Sequence, residues 1–217
     1  MQVILDAYKG QYAENKNIRK FYANFQNMTN NAVEAIRSKL GLNPPPITFI
    51  VRLVDGGTPE LPMGEIPMFT PTGLCEVHQL DNSDVAYFPE LLHSGTGDNI
   101  RVVSMSSLAV AKEYHGYTSA QKVLTHEFVH GYFNYYSSAC RFMPLWVTEG
   151  IALWTANQTW EEDFKKVPHK YRNGRWGDYL SYIQQFQKDV DTRGIRVIVN
   201  EILAKDEILS LFSSVFG

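Results

Sequence analysis

At 217 residues the chain is long enough for one well-cored domain. A hydrophobic content of 44% with 20% charged residues fits a globular protein, and a formal charge of −3 leaves no basic surplus for a nucleic-acid partner. No apolar run approaches the ~20 residues of a membrane span, and two cysteines, Cys75 and Cys140, do not make a disulfide framework.

The start, Met1 to Asp6, lacks the basic flank and long apolar stretch of a signal peptide, which favours a cytoplasmic protein. A secreted form trimmed of its signal would read the same. Val3 to Ala7 reads as a first strand. Asn15 or Asn17 then caps a long helix whose apolar positions Ile18, Phe21, Phe25, Met28, Ala32, Ile36 and Leu40 keep helical spacing. Gly41 suits its C-terminal stop, and Pro44-Pro45-Pro46 forbids continuation. Ile47 to Val54 alternates with β-branched residues and reads as a strand. Residues 58–72 carry Pro59, Pro62, Pro67 and Pro71 without a clear period, either a lid over a cleft or a variable insertion. Gly73 to Leu80, Val85 to Phe88 and Ile100 to Met105 follow as short strands. Antiparallel strands ahead of a helical remainder give an α+β plan.

The next stretch, Val123-Leu124-Thr125-His126-Glu127-Phe128-Val129-His130-Gly131, contains His-Glu-x-x-His. Thr118 and Gln121 have the spacing of a capping box for a helix running to Tyr136. Residues four apart share a helix face, so His126 and His130 can offer imidazoles to one metal ion. Glu127 lies about 100° around the helix, near enough to hold a water without ligating the metal. Chance produces such short patterns, so a second stretch carries weight. In Pro144-Leu145-Trp146-Val147-Thr148-Glu149-Gly150-Ile151-Ala152-Leu153-Trp154 a carboxylate stands in an otherwise apolar helix. That is costly unless it is paired or ligates a metal, and no Arg or Lys occurs between Pro144 and Lys165. The short turn from Ser137 to Met143 makes the two helices antiparallel neighbours, which brings Glu149 back to the level of His130. Two imidazoles, one carboxylate and an open fourth position form the pattern of a catalytic rather than a structural zinc site.

His-Glu-x-x-His, the 18 residues 131–148, then Glu149 within Trp146-Val147-Thr148-Glu149-Gly150-Ile151-Ala152 resembles the gluzincin metallopeptidases, closest to the aminopeptidase-N-like and short peptidase MA branches. The resemblance covers residues 118–156. It implies a zincin-like fold: a small mixed or antiparallel sheet, an active-site helix and a C-terminal helical part. On this reading residues 1–217 form one catalytic domain, with the sheet in 1–117 and the helical part in 118–217. The implied cofactor is one Zn2+ on His126, His130 and Glu149, with Glu127 as general base, and the implied partner is a peptide or protein substrate. Thermolysin-type members place an Asp four residues after the ligand Glu. Leu153 stands there in this chain, so the carboxylate that supports the ligands must come from elsewhere.

Two further assignments rest on the resemblance. Gly73-Leu74-Cys75-Glu76-Val77 is similar to the cleft-side edge strand of aminopeptidases, where a Glu binds the substrate amino terminus; Glu76 is otherwise a solvated strand residue. Tyr179 resembles a tyrosine that short gluzincins carry on a helix after the third ligand, where a phenol assists the oxyanion. Tyr171 and Tyr182 are rivals, and a core tyrosine is the bland alternative. His78, His93, His115 and His169 lack ligand spacing and are expected to be structural or exposed. The expected activity is that of an endopeptidase. The alternatives are an aminopeptidase using Glu76 and a metal-containing peptide-binding module with little turnover, against which the presence of Glu127 argues.

Overall fold

The computed structural model describes residues 1–55, 73–78, 100–111, 119–137, 140, 143–158 and 175–204, with the backbone alone at 73–78, 109 and 175–179. The elements in chain order are β1 (Gln2–Leu5), α1 (Lys16–Leu40), β2 (Thr48–Val54), β3 (Gly73–His78), β4 (Ile100–Ser106), α2 (Ser107–Ala111), α3 (Ala120–Tyr136), α4 (Leu145–Thr155) and α5 (Arg175–Arg193). A last described helix, α6, covers residues 195–204. The lid-like segment 58–72, Val85 to Phe88 and residues 205–217 lie outside the described residues.

Helix α1 follows its sequence closely. Asn15 caps it, its side chain accepting from the Asn17 N–H at 2.8 Å, while the Asn17 amide donates to the Ala111 carbonyl at 2.7 Å. Gly41 ends it in the left-handed region at φ 72°, where a side chain would be strained and would also meet Arg196. Of the apolar positions expected to face inward, only Met28 is half-buried. Thr29 takes its place in the core because the stripe drifts around a helix of this length.

The sheet corrects the expectation of antiparallel strands. Its order is β1-β2-β4-β3, with β1, β2 and β4 parallel and only β3 antiparallel, at the edge beside β4. The reason is the crossover. A 25-residue helix stands between β1 and β2, and a strand–helix–strand unit returns the second strand parallel to the first. Burial on both faces of β2 fits this arrangement. Phe49, Val51 and Leu53 join the main core, whereas Ile50 packs with Ile100 and Val102 on the other face.

Helix α3 lies on the main-core face. Phe49 of β2 stacks on Phe128 at 4.4 Å between ring centroids and reaches Tyr132 at 6.4 Å. Gln121 donates to the Met28 carbonyl at 3.0 Å and ties α3 to α1. Beyond α3, helix α4 packs on α5 so closely that a Cβ at Gly150 would lie 2.6 Å from the Phe186 Cβ. Gly194, at φ 83°, lets the chain turn from α5 into α6, whose Ile198, Val199 and Ile202 complete the core. Among the described residues no helix is long and apolar enough to cross a membrane.

Candidate metal centre

The motif helix starts where the sequence suggests, but with a different cap. Ser119, not Thr118, is the cap residue, and its hydroxyl accepts from the Lys122 N–H at 3.4 Å. Gln121 faces α1 instead of forming a capping box: its Nε2 donates to the Met28 carbonyl and its Oε1 accepts from Asn31 Nδ2 at 3.4 Å. Thr118 itself lies outside the described residues. The helix then runs to Tyr136, with Ser137 as its C-cap. Pro144 occupies the cap position of α4, whose first helical residue is Leu145.

The three expected ligands converge. His126 and His130 face each other with their Nε2 atoms 3.0 Å apart. Glu149 meets both, Oε2 at 3.3 Å from His126 Nε2 and Oε1 at 3.6 Å from His130 Nε2. One ligand atom from each residue lies within 4.8 Å of the others, and this is the metal-capable group found among the described residues. Packing of α3 against α4 brings them together, and the close approach of α5 at Gly150 fixes α4 next to Glu149.

The electrostatics favour a cation at this point. Burial alone raises the Glu149 pKa, but its interactions with the His126 and His130 rings outweigh it and hold the carboxyl well below its usual range. The Oε2 atom is nevertheless buried without a hydrogen bond, 3.3 Å from His126 Nε2. Three Lewis bases therefore point at one another with an orphaned carboxylate oxygen among them. A metal ion satisfies all three at once, and the residues present fit one.

Glu127 is 5% exposed, buried in the same helical turn as His126. The backbone of Glu76 lies in β3 and that of Tyr179 near the start of α5, while both side chains, like Tyr171 and the remaining histidines' side chains, lie outside the described residues. Tyr182 is half-buried on α5.

One residue of the site escaped sequence reasoning. Gln158, 3% exposed, places its Oε1 2.7 Å from His126 Nδ1. It follows Asn157, which adopts φ 54°, and its N–H donates to the Leu153 carbonyl at 2.9 Å. The available signal was Asn157, a residue type that tolerates the left-handed turn after a helix and so folds the chain back onto it. Comparison with protein-family models, with curated proteins and with solved structures finds no match to this chain.

Proposed function

We propose that the chain is a zinc-dependent endopeptidase of gluzincin type with a zincin-like fold, in which His126, His130 and Glu149 hold one zinc ion. The observation that carries this reading is the convergence of the three side chains: the two Nε2 atoms stand 3.0 Å apart, each has a different Glu149 oxygen at 3.3 or 3.6 Å, and one donor atom from each residue lies within 4.8 Å of the others. Donors about 2.1 Å from a tetrahedral zinc stand about 3.4 Å from one another, so a small rotation of the Glu149 carboxylate brings the set to the required size. Zinc bound there supplies a Lewis acid for the scissile carbonyl and acidity for a water molecule.

The chain's own residues do the rest. Glu127, buried beside the ligands, accepts the water's proton and delivers it to the leaving amine. Tyr179, carried near the start of α5, is assigned a hydrogen bond to the developing oxyanion. Strand β3 offers an antiparallel sheet edge along which an extended peptide can pair by its main chain, leaving both peptide ends unconstrained. That geometry suits cleavage within chains better than removal of terminal residues, the alternative in which Glu76 anchors an amino terminus.

Two measurements test the proposal. Purified protein should contain one zinc per chain and digest casein, and a chelator should abolish the digestion. A metal-free protein without chelator-sensitive turnover would refute it, while zinc without turnover would indicate a binding module. Cleavage at internal bonds of both a free and an acetylated peptide marks an endopeptidase. Release of single residues from the free peptide alone, abolished by Glu76→Ala, marks an aminopeptidase.

A further inference from the structure

We propose that Gln158 is the positioning residue of the metal centre: its side-chain carbonyl holds His126 as the Nδ1–H tautomer and thereby aims the Nε2 lone pair at the metal position. The inference rests on the metal reading above and adds to it a neutral amide where thermolysin-type enzymes use a carboxylate.

The geometry at His126 carries it. Both side chains of the contact are shielded, Gln158 at 3% and His126 at 8% exposure, and Oε1 stands 2.7 Å from Nδ1. A carbonyl oxygen only accepts, so Nδ1 must carry the proton. In a neutral imidazole the other nitrogen is then unprotonated, and that Nε2 is the atom facing His130 and Glu149. Rotating the amide by 180° would reverse the argument. An NH2 group would donate to Nδ1, the proton would move to Nε2, and it would occupy the place of the metal.

The turn that presents Gln158 is fastened from two sides. Lys39 of α1 donates to the Trp154 and Thr155 carbonyls at 3.1 and 3.0 Å and to Asn157 Oδ1 at 2.6 Å. Lys122, from the first turn of the motif helix, donates to the Asn157 carbonyl at 2.7 Å. The left-handed residue Asn157 lies between these anchors, and the next side chain enters the core against His126. Leu153, at the position of the usual carboxylate, is fully buried and contributes its backbone carbonyl to the same turn. The support for the first histidine has thus moved from the body of α4 to its C-terminal turn. A carbonyl on the second ring nitrogen fixes orientation as a carboxylate does, but without adding negative charge to the site.

The test is nitrogen-resolved NMR of His126 in metal-free protein, at a pH where imidazole is neutral, with zinc affinity measured by chelator competition. In the unaltered chain Nδ1 should be protonated and Nε2 bare. Gln158→Leu should release the ring to populate the other tautomer and weaken zinc binding about 10–100-fold, the usual cost of losing such a partner. Gln158→Glu, which can accept the same bond, should restore both. An Nε2–H tautomer in the unaltered chain overturns the proposal, as does a Gln158→Leu variant with unchanged tautomer and zinc affinity. If Gln158→Leu does not fold, the unaltered chain and Gln158→Glu still decide. Failure of the unaltered chain to bind zinc would refute the proposed function, and the tautomer would still judge Gln158.

Discussion

Helices α1 and α3 pack against each other and obey opposite rules. α1 buries Ile18, Phe21, Phe25, Thr29, Ala32, Ile36 and Leu40 at spacings of three and four and leaves its other face to water. It is capped at both ends and carries Arg37 and Lys39 in its last turn, where they suit the helix dipole. α3 buries the unbroken run Val123 to Val129, which includes Thr125, His126 and Glu127. A helix buried all round has no solvent face for its polar residues, so each must find a partner inside. Thr125 finds the Gln121 carbonyl at 2.8 Å and His126 finds Gln158, but Glu149 Oε2 across from it finds no hydrogen bond. The contrast teaches where to look for function. Apart from the buried Thr29 hydroxyl, α1 is consistent with folding alone, whereas α3 and α4 carry ionisable groups that folding alone would not bury.

The sharpest way to break this contrast is to separate the two carboxylates. Glu127→Gln should keep zinc and thermal stability while lowering turnover about 10²–10⁴-fold, because an amide cannot accept the water's proton. Glu149→Ala should instead lose the metal, leaving two imidazoles and solvent. Metal analysis of both purified variants reads the difference. A zinc-free Glu127→Gln beside a zinc-replete Glu149→Ala would reverse the roles assigned to the two residues.

A scaffold change should do the opposite. Ile36 is fully buried on α1, and Ile36→Ala should cost about 2–5 kcal/mol in denaturant unfolding through the lost transfer term and the cavity left behind. The folded fraction should bind zinc with unchanged affinity. A large loss of affinity at unchanged stability would make α1 part of the site rather than its support.

What could be read from the sequence divides along the same line. α1 was legible to its caps, because its burial follows its own period and its stop signals are local. The convergence of His126, His130 and Glu149 was legible for a different reason: their spacing, with a short connection between, makes the two helices neighbours. The parallel pairing of β1, β2 and β4 was misjudged, since pairing depends on the path of the connections, α1 between β1 and β2 among them, rather than on the strands' own residues. Gln121 was misread because its tertiary partner, the Met28 carbonyl, outbids the local backbone. Gln158 was invisible, as its role exists only once a left-handed turn and two lysines from other helices have placed it.

Gly150 joins the two regimes. It stands beside the ligand Glu149, yet its reason is packing: a Cβ would meet the Phe186 Cβ at 2.6 Å and Cγ at 2.9 Å. Gly150→Ala should destabilise by about 1–3 kcal/mol, the usual cost of overpacking, and should also weaken zinc binding by pushing α4 away from α5. Because the Phe186 Cβ is the first atom met, trimming the ring with Phe186→Ala should not relieve the clash. Thermal unfolding and chelator competition on the single and double variants check this. Rescue by Phe186→Ala, or stability lost with affinity intact, would disconnect the helix contact from the ligand.

The smallest effect is expected where the scaffold is tied together away from the metal. Asp55, just past β2, accepts from the Ser107 hydroxyl at 2.6 Å, from the Tyr8 hydroxyl, and from the Gln11 N–H at 3.1 Å. It thus links the chain just past β1, β2 and β4. The Ser107 bond first and the Tyr8 bond second hold the Asp55 pKa below its ordinary 3.8. A depressed folded-state pKa means that the stabilisation is complete above about 3.8 and is lost as pH falls through the lowered value. Tyr8 gives the mirror image. Burial, then its bond to Asp55, raises its pKa above 10.0, so its contribution is complete below that pH and disappears on the alkaline side. Asp55 is exposed, which limits the effect to below about 1 kcal/mol and makes it sensitive to salt. Asp55→Asn should therefore lower the melting temperature slightly at neutral pH and flatten the acid limb of a stability–pH profile, with zinc affinity unchanged. A variant whose acid limb matches the unaltered chain would show that the clasp adds no pH-dependent stability. One that loses zinc would show that the ends of these strands and the metal centre are coupled, and the division between scaffold and site would no longer hold.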